Sequence, residues 1–321
     1  MPRSPWMRAA RGALSVVVLL FIAWSLRHYW SAYQAQVTQA HVRWWVLLGS
    51  GGVFLLTYAV LIQTWRVMLA AWDERLSFWR AAHIWSVSNL YRYVPGKLWQ
   101  IGAMGVMAQR AQVSPVAATG SAILSTIVNI TTGFAIALAA GARALDAMHP
   151  GASRVAVVIT GVALLGLVLL PVGMPHVVSL ARRITGRDLR VAAVPPRVIG
   201  YAIVGNVVAW GLYGMGFYVF VIGLLGHAAG APMSYIAVYS ASYVLGYIVL
   251  FLPAGLGARE GTMAAALPAF QLMTGPQALL TAVASRLWTA VLELVPGFLF
   301  VAVDAWRGRT TSSTRSHEST R

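Results

Sequence analysis

Residues 44–65 read WWVLLGSGGVFLLTYAVLIQTW, without one charged side chain between Trp44 and Trp65. A helix needs roughly 20 apolar residues to cross a hydrocarbon core about 30 Å thick. Tryptophan collects at the two membrane interfaces, where one end of its ring system is apolar and the other wet. Trp44 and Trp45 at one end and Trp65 at the other therefore mark a membrane span of about 44–64.

Outward from this stretch the pattern recurs: a first span at roughly 11–30, then 115–141, 154–173, 197–225, 232–252 and 277–304. Of the 321 residues, 59% are hydrophobic and 10% charged, and the mean hydropathy is +0.70. Soluble domains carry about 25% charged residues, so lipid must be the solvent for much of this chain. No length remains for a separate catalytic domain of ordinary size. The expected fold is all-α, a polytopic membrane helix bundle forming one integral domain over 1–306. The Ser, Thr and Arg residues of 307–321 are expected to form a disordered cytoplasmic tail.

Charge sets the sidedness. Twenty-three Arg and one Lys stand against eight acidic residues, for a formal charge of +16. The basic residues gather at Arg3, Arg8 and Arg11, at Arg66, Arg75 and Arg80, at Arg182–Arg197, and in the tail. Short basic loops stay cytoplasmic, so both termini are expected inside, in a plasma membrane of the bacterial inner-membrane type. Arginines between apolar runs fit anionic lipid headgroups better than nucleic acid. Parity then makes 79–110 a hairpin that enters and leaves one face, and makes 254–273 cross or nearly cross. The expectation is eight crossings and one re-entrant hairpin. The basic start resembles a signal peptide, but the apolar run continues to Trp30 without a small-residue cleavage site and reads as an uncleaved helix. Cysteine is absent, which excludes disulfides and thiolate metal sites. The seven histidines form no i, i+4 pair, and no metal or cofactor is expected.

A charged side chain at the centre of a spanning helix costs about 2.5–3.5 kcal/mol on insertion scales. Two segments collect such residues beside helix breakers. The first is Tyr91-Arg92-Tyr93-Val94-Pro95-Gly96-Lys97-Leu98-Trp99-Gln100. Pro95 removes a backbone donor and Gly96 frees the chain, so the run breaks into two short helices. One interpretation is an interfacial turn with Arg92 and Lys97 snorkelling to headgroups; the other is a site for lipid phosphate. The second segment, Pro253-Ala254-Gly255-Leu256-Gly257-Ala258-Arg259-Glu260, opens a short helix whose free amides and Arg259 favour an anion. Glu260 has Arg259, Arg286 and Lys97 as candidate partners. Arg286 and Glu293 lie seven apart, on one face of the last span, where they either bind substrate or brace the bundle. Paired broken helices are a sequence pointer to a transporter substrate site. Glycines 49, 51 and 52, and 211, 214 and 216, read as close helix packing. Asn129, Thr131, Thr132 and Asn206 read as interhelical hydrogen bonds.

At the two segments the chain resembles the flippase-like membrane region of the lysylphosphatidylglycerol synthases and related stand-alone membrane proteins. The resemblance rests on Tyr93-Val94-Pro95-Gly96-Lys97, then Arg110-Ala111 and Ser114-Pro115, and on Pro253 to Glu260. In that last run Ala254 stands where Gly is usual. Many relatives place a Glu where this chain has Ser125 and Thr126, and the synthases add a soluble acyltransferase domain. The resemblance implies lipid translocation without lipid synthesis, with membrane lipids of anionic headgroup as partners and a second copy of the chain as a candidate partner. Candidate substrate-binding residues are Arg92, Lys97, Arg110, Arg259, Glu260, Arg286 and Glu293, with Pro95, Gly96, Pro253, Gly255 and Gly257 shaping the backbone.

The leading expectation is a flippase for an anionic or zwitterionic phospholipid, glycolipid or polyprenyl-linked lipid. No nucleotide-binding loop, nucleophile elbow or zinc motif is present, so an enzyme is not expected. A non-catalytic assembly or regulatory partner is the alternative, ahead of an intramembrane lipid-phosphate glycosyltransferase.

Overall fold

The computed structural model describes residue 27 and residues 42–93, 98–148, 150–185, 194–248 and 257–318. These are helical, with no strand among them. Helices α1 (Trp44–Ala70), α2 (Phe78–Asn89) and α3 (Leu98–Arg110) come first, and a 3₁₀ turn, Leu90–Tyr93, continues α2. Then follow α4 (Pro115–Met148), α5 (Ala152–Thr185), α6 (Pro196–Leu225), α7 (Pro232–Ile248), α8 (Ala258–Ala269) and α9 (Gly275–Glu318).

Four of the eight expected crossings are met by helices long and apolar enough to span: Trp44–Ala70, Pro115–Ala142, Pro196–Leu225 and Gly275–Trp306. The expected first span lies outside the described residues. In α5 the apolar portion is Ala152–Leu167, and α7 has 17 residues, about 26 Å at 1.5 Å per residue. Helices α2 and α3, of 12 and 13 residues, are each about 18–20 Å long and too short to cross alone. They pack against each other; Pro95 and Gly96, the expected break between them, lie outside the described residues. Helix α9 runs on to Glu318, through residues expected to form a disordered tail. An established helix extends at little cost per residue.

Local signals explain several boundaries. The Ser77 hydroxyl accepts the Arg80 N–H at 3.4 Å and caps α2. Pro196 opens α6, where a missing N–H costs nothing, and Gly226 closes it at φ 81°. The start of α1 is pinned to the end of α6, where the Arg43 N–H donates to the Gly223 carbonyl at 2.8 Å.

The core is aromatic. Phe54 and Tyr58 from α1, Trp210, Tyr213 and Phe217 from α6, and Tyr235 and Tyr239 from α7 are buried together. Tyr213 stacks on Tyr239 and on Tyr243, with ring centroids 5.5 and 6.0 Å apart. Trp65, expected at a membrane interface, is buried and donates to Ser121 Oγ (3.0 Å), and Trp288 donates to Ser50 Oγ (3.1 Å). The buried Trp72 Nε1, by contrast, has no acceptor among the described residues. The outside is apolar too. Val155, Val158 and Val162 on α5, Val204 and Val208 on α6, and Phe298 and Leu299 on α9 are exposed, a surface suited to lipid.

The glycine sets divide. A Cβ on Gly51 would meet Trp288 at 3.0 Å, and one on Gly216 would meet Phe54 at 3.2 Å; Gly214 sits against the Ile236 backbone. Gly49, Gly52 and Gly211 have nothing within 4 Å, so close packing, the expectation for all six, applies only to Gly51, Gly214 and Gly216. Asn129 does bond across helices, its Nδ2 donating to Asn206 Oδ1 at 2.7 Å. Thr132 instead returns to its own helix at the Val128 carbonyl.

Candidate functional site

The 3₁₀ turn after α2, the first turn of α8 and the inner face of α9 meet in a buried charge cluster. Arg92 Nη1 donates to Glu293 Oε1 at 2.8 Å, and the Tyr93 hydroxyl donates to Glu293 Oε2 at 2.9 Å. Both carboxylate oxygens of Glu293 are thus held, and the residue is only 6% exposed. Two turns earlier on α9, Arg286 Nε lies 3.3 Å from Glu260 Oε1. The Arg286 guanidinium also sits 5.9 Å from the centre of the Tyr93 ring, joining the two pairs through one aromatic side chain.

Arg259 is held differently. Its guanidinium lies 4.8 Å from the Tyr239 ring centre and 4.9 Å from that of Tyr243. It is buried, and its Nη2 has no hydrogen-bond partner among the described residues. Cation–π contact stabilises a desolvated guanidinium by about 2 kcal/mol, less than a carboxylate partner would. Among the described residues, three guanidinium groups (Arg92, Arg259, Arg286) therefore face two carboxylates (Glu260, Glu293). That leaves the cluster with one positive charge over.

Glycine 257 supplies the local geometry on α8. Its φ of 82° is one that side-chain-bearing residues rarely adopt, and its N–H donates to Glu260 Oε2 at 2.6 Å. Glu260, three residues into the helix, reaches back to satisfy an amide that the helix leaves free. One oxygen caps the helix while the other faces Arg286.

Beside the cluster lies a cavity of about 100 Å³. Trp65 comes to its wall from α1, Trp85 and Asn89 from α2, Arg92 from the turn, and Gln100 from α3. Ser125, Thr126 and Asn129 on α4, Tyr213 on α6, and Tyr243 and Tyr247 on α7 complete the polar lining. Arg92 belongs to both cluster and cavity, and Tyr243 both lines the cavity and carries Arg259 on its ring. Asn129 stands near the middle of the apolar stretch Pro115–Ala142, and Glu293 near the middle of Gly275–Trp306. Trp65, Asn89, Arg92 and Gln100 instead stand at or near helix ends.

Of the residues expected at the site, Arg92, Arg259, Glu260, Arg286 and Glu293 converge, and Gly257 shapes one edge. Arg110 does not join them. It is exposed at the last turn of α3, where a cation complements the free carbonyls of the helix end. Lys97, Pro95, Gly96, Pro253 and Gly255 lie outside the described residues. Missing from the expectation were Tyr93, Tyr243, Asn89 and Gln100. A signal for the tyrosines exists: Tyr235, Tyr239, Tyr243 and Tyr247 recur every fourth residue, one face of α7.

No curated protein matches the chain. The model of the lysylphosphatidylglycerol synthase transmembrane region matches residues 9–297, a range that holds every residue of the cluster and the cavity. The chain is a membrane-embedded member of the lysylphosphatidylglycerol synthase transmembrane-region family.

Proposed function

We propose that the protein is a carrier, not an enzyme, that moves a lipid with an anionic headgroup across a bacterial-type inner membrane, both of its termini being cytoplasmic. The observation that carries this reading is the surplus positive charge, among the described residues, beside a polar cavity that reaches the middle of α4. A phosphate brought there meets Arg92 directly and the field of Arg259, so its charge is partly neutralised where the bilayer would make it most costly. The acyl or prenyl chains stay in lipid against the apolar outer faces. Arg259, held over aromatic rings and with no ion-paired carboxylate among the described residues, is the guanidinium with most to gain from an arriving anion.

The pairing of Arg92 with Glu293 and of Arg286 with Glu260 also suits a bracing role. Bracing alone gives no reason for a third buried guanidinium with no ion-paired carboxylate among the described residues, or for a polar cavity alongside.

The test is flux in proteoliposomes with fluorescent, headgroup-accessible phosphatidylglycerol and polyprenyl phosphate probes. Wild type should move at least one probe well above empty liposomes, and R92Q and R259Q should fall towards background. Background rates for both probes with wild type would overturn the proposal.

A further inference from the structure

The cavity wall is chemically unlike the charge cluster beside it. Among the described residues Arg92 is its one charged side chain, and Nη1 of that guanidinium is already committed to Glu293. The rest of its polar lining is neutral: Asn89, Gln100, Ser125, Thr126 and Asn129. Five aromatic rings, from Trp65, Trp85, Tyr213, Tyr243 and Tyr247, and the aliphatic Leu61, Ile101, Met104 and Ala122 complete the wall. A cationic amine headgroup would call for a carboxylate in this wall, and none of the described lining residues supplies one. A bare phosphate would have no use for so many amides and rings. Neutral amides and hydroxyls beside aromatic faces suit a polyol, whose hydroxyls bond to the polar groups while its C–H faces lie against the rings.

The hydrogen-bonding inventory is directional. Gln100 Nε2 donates to Asn89 Oδ1 at 2.5 Å, which fixes the Asn89 amide. Asn89 Nδ2, in a side chain only 1% exposed, has no partner among the described residues. A buried donor left unmade costs about 1–3 kcal/mol, so an acceptor from a ligand is its natural complement. Thr126 donates its hydroxyl proton to the Ala122 carbonyl, and its oxygen already meets the Tyr247 side chain. Asn129 spends its NH₂ on Asn206, which leaves its carbonyl oxygen to accept. The wall thus offers both donor and acceptor, as a sugar hydroxyl requires.

Size narrows the choice. At roughly 10–15 Å³ of accessible volume per water, 100 Å³ holds about seven to ten waters. That is room enough for one sugar ring.

Building on the carrier reading, we infer that the headgroup is a glycosyl phosphate, with one neutral sugar unit in this cavity and its phosphate at Arg92. The same head could sit on a prenyl or a diacylglycerol anchor.

The experiment is binding to the purified protein in phosphatidylcholine nanodiscs, read by tryptophan fluorescence, since Trp65 and Trp85 line the cavity. Two matched pairs of probes are used: farnesyl phosphate with farnesyl phosphoglucose, and phosphatidylglycerol with glucosyl-phosphatidylglycerol. The sugar-bearing member of at least one pair should bind about tenfold more tightly, the scale of one or two net hydrogen bonds. The pair showing the larger ratio identifies the anchor. N89L and T126V should each bring that ratio towards one, whereas R92Q should weaken both members of the pair. T126V nearly preserves shape, so it remains informative if N89L fails to fold. Equal binding within both pairs overturns the sugar inference and leaves the anion-carrier reading standing. Failure of all four probes to bind overturns both.

Discussion

Arg92 and Glu293 are 201 positions apart in the chain and 2.8 Å apart in space. The turn that ends α2 is thereby fastened to the middle of α9, and Tyr93, the next residue, takes the second carboxylate oxygen at 2.9 Å. Two adjacent residues of the first broken segment thus serve one buried acid. A carboxylate and a guanidinium taken out of water recover their desolvation only through geometry of this quality.

That relationship separates bracing from binding. Either single change, R92M or E293L, strands a charge in the interior and should cost about 3–5 kcal/mol. The double variant R92M/E293L removes both charges and should recover most of that loss in thermal unfolding of the detergent-solubilised protein. If the pair serves transport, the stable double variant should carry no lipid in proteoliposomes. Wild-type flux from a stably folded double variant would reduce the pair to a brace.

Glu260 has two tasks, and substitution can divide them. Glutamine retains an oxygen for the Gly257 N–H but gives up the charge facing Arg286, and alanine loses both. E260A should therefore be less stable than E260Q by about 0.5–2 kcal/mol, the usual worth of a helix-start acceptor. Equal melting temperatures for the two variants would mean that the 2.6 Å contact to Gly257 contributes nothing.

Much of this arrangement is legible in the amino-acid sequence. The long apolar runs locate α1, α4, α6 and α9, because a helix that crosses lipid must be mostly apolar along its length. The seven-residue spacing of Arg286 and Glu293 places them on one face, and the expense of burying them implies partners. Glu260 has three candidate partners by sequence, and only the packing of α8 on α9 selects Arg286. The cavity escapes such a reading because Asn89, Gln100 and Thr126 come from three helices, and each alone looks like an ordinary polar residue in a helix. Glycines mislead for a related reason. Gly211 and Gly214 differ only in which face meets α7, and no local pattern states that. Arg110 shares a motif with the site yet lies at a helix end, since a motif can mark a fold boundary as readily as a ligand.

Outside the spanning segments, Asp146 makes a pH-sensitive tie. The Ser153 N–H donates to Asp146 Oδ1 at 3.0 Å and the Ser153 hydroxyl to Oδ2, linking α4 to the start of α5. These bonds, the hydroxyl's first, hold the carboxyl below its ordinary range. Because the folded value is the lower one, the tie is complete above the ordinary aspartate range and is lost as pH falls through the folded value. An NMR titration of the Asp146 carboxyl should show the depressed midpoint, and S153A should raise it. An identical midpoint in S153A would show that Ser153 is not the cause.

The α6–α7 contact can be tested with one pair of glycines on a single helix. A Cβ on Gly214 would overlap the Ile236 Cα, which is backbone and cannot rotate away, whereas a Cβ on Gly211 meets nothing within 4 Å. Alanine favours a helix over glycine by about 0.5–1 kcal/mol, so G211A should be neutral or slightly stabilising. G214A must push α7 outward and should lose about 1–3 kcal/mol, the common cost of overpacking. Tyr239 and Tyr243 ride on α7, so the same displacement should loosen the rings that hold Arg259 and lower lipid flux beyond the loss expected from stability alone. Thermal unfolding and flux measured together on both variants decide the matter. A G214A protein that melts and transports like G211A would show that α6 and α7 do not approach each other this closely.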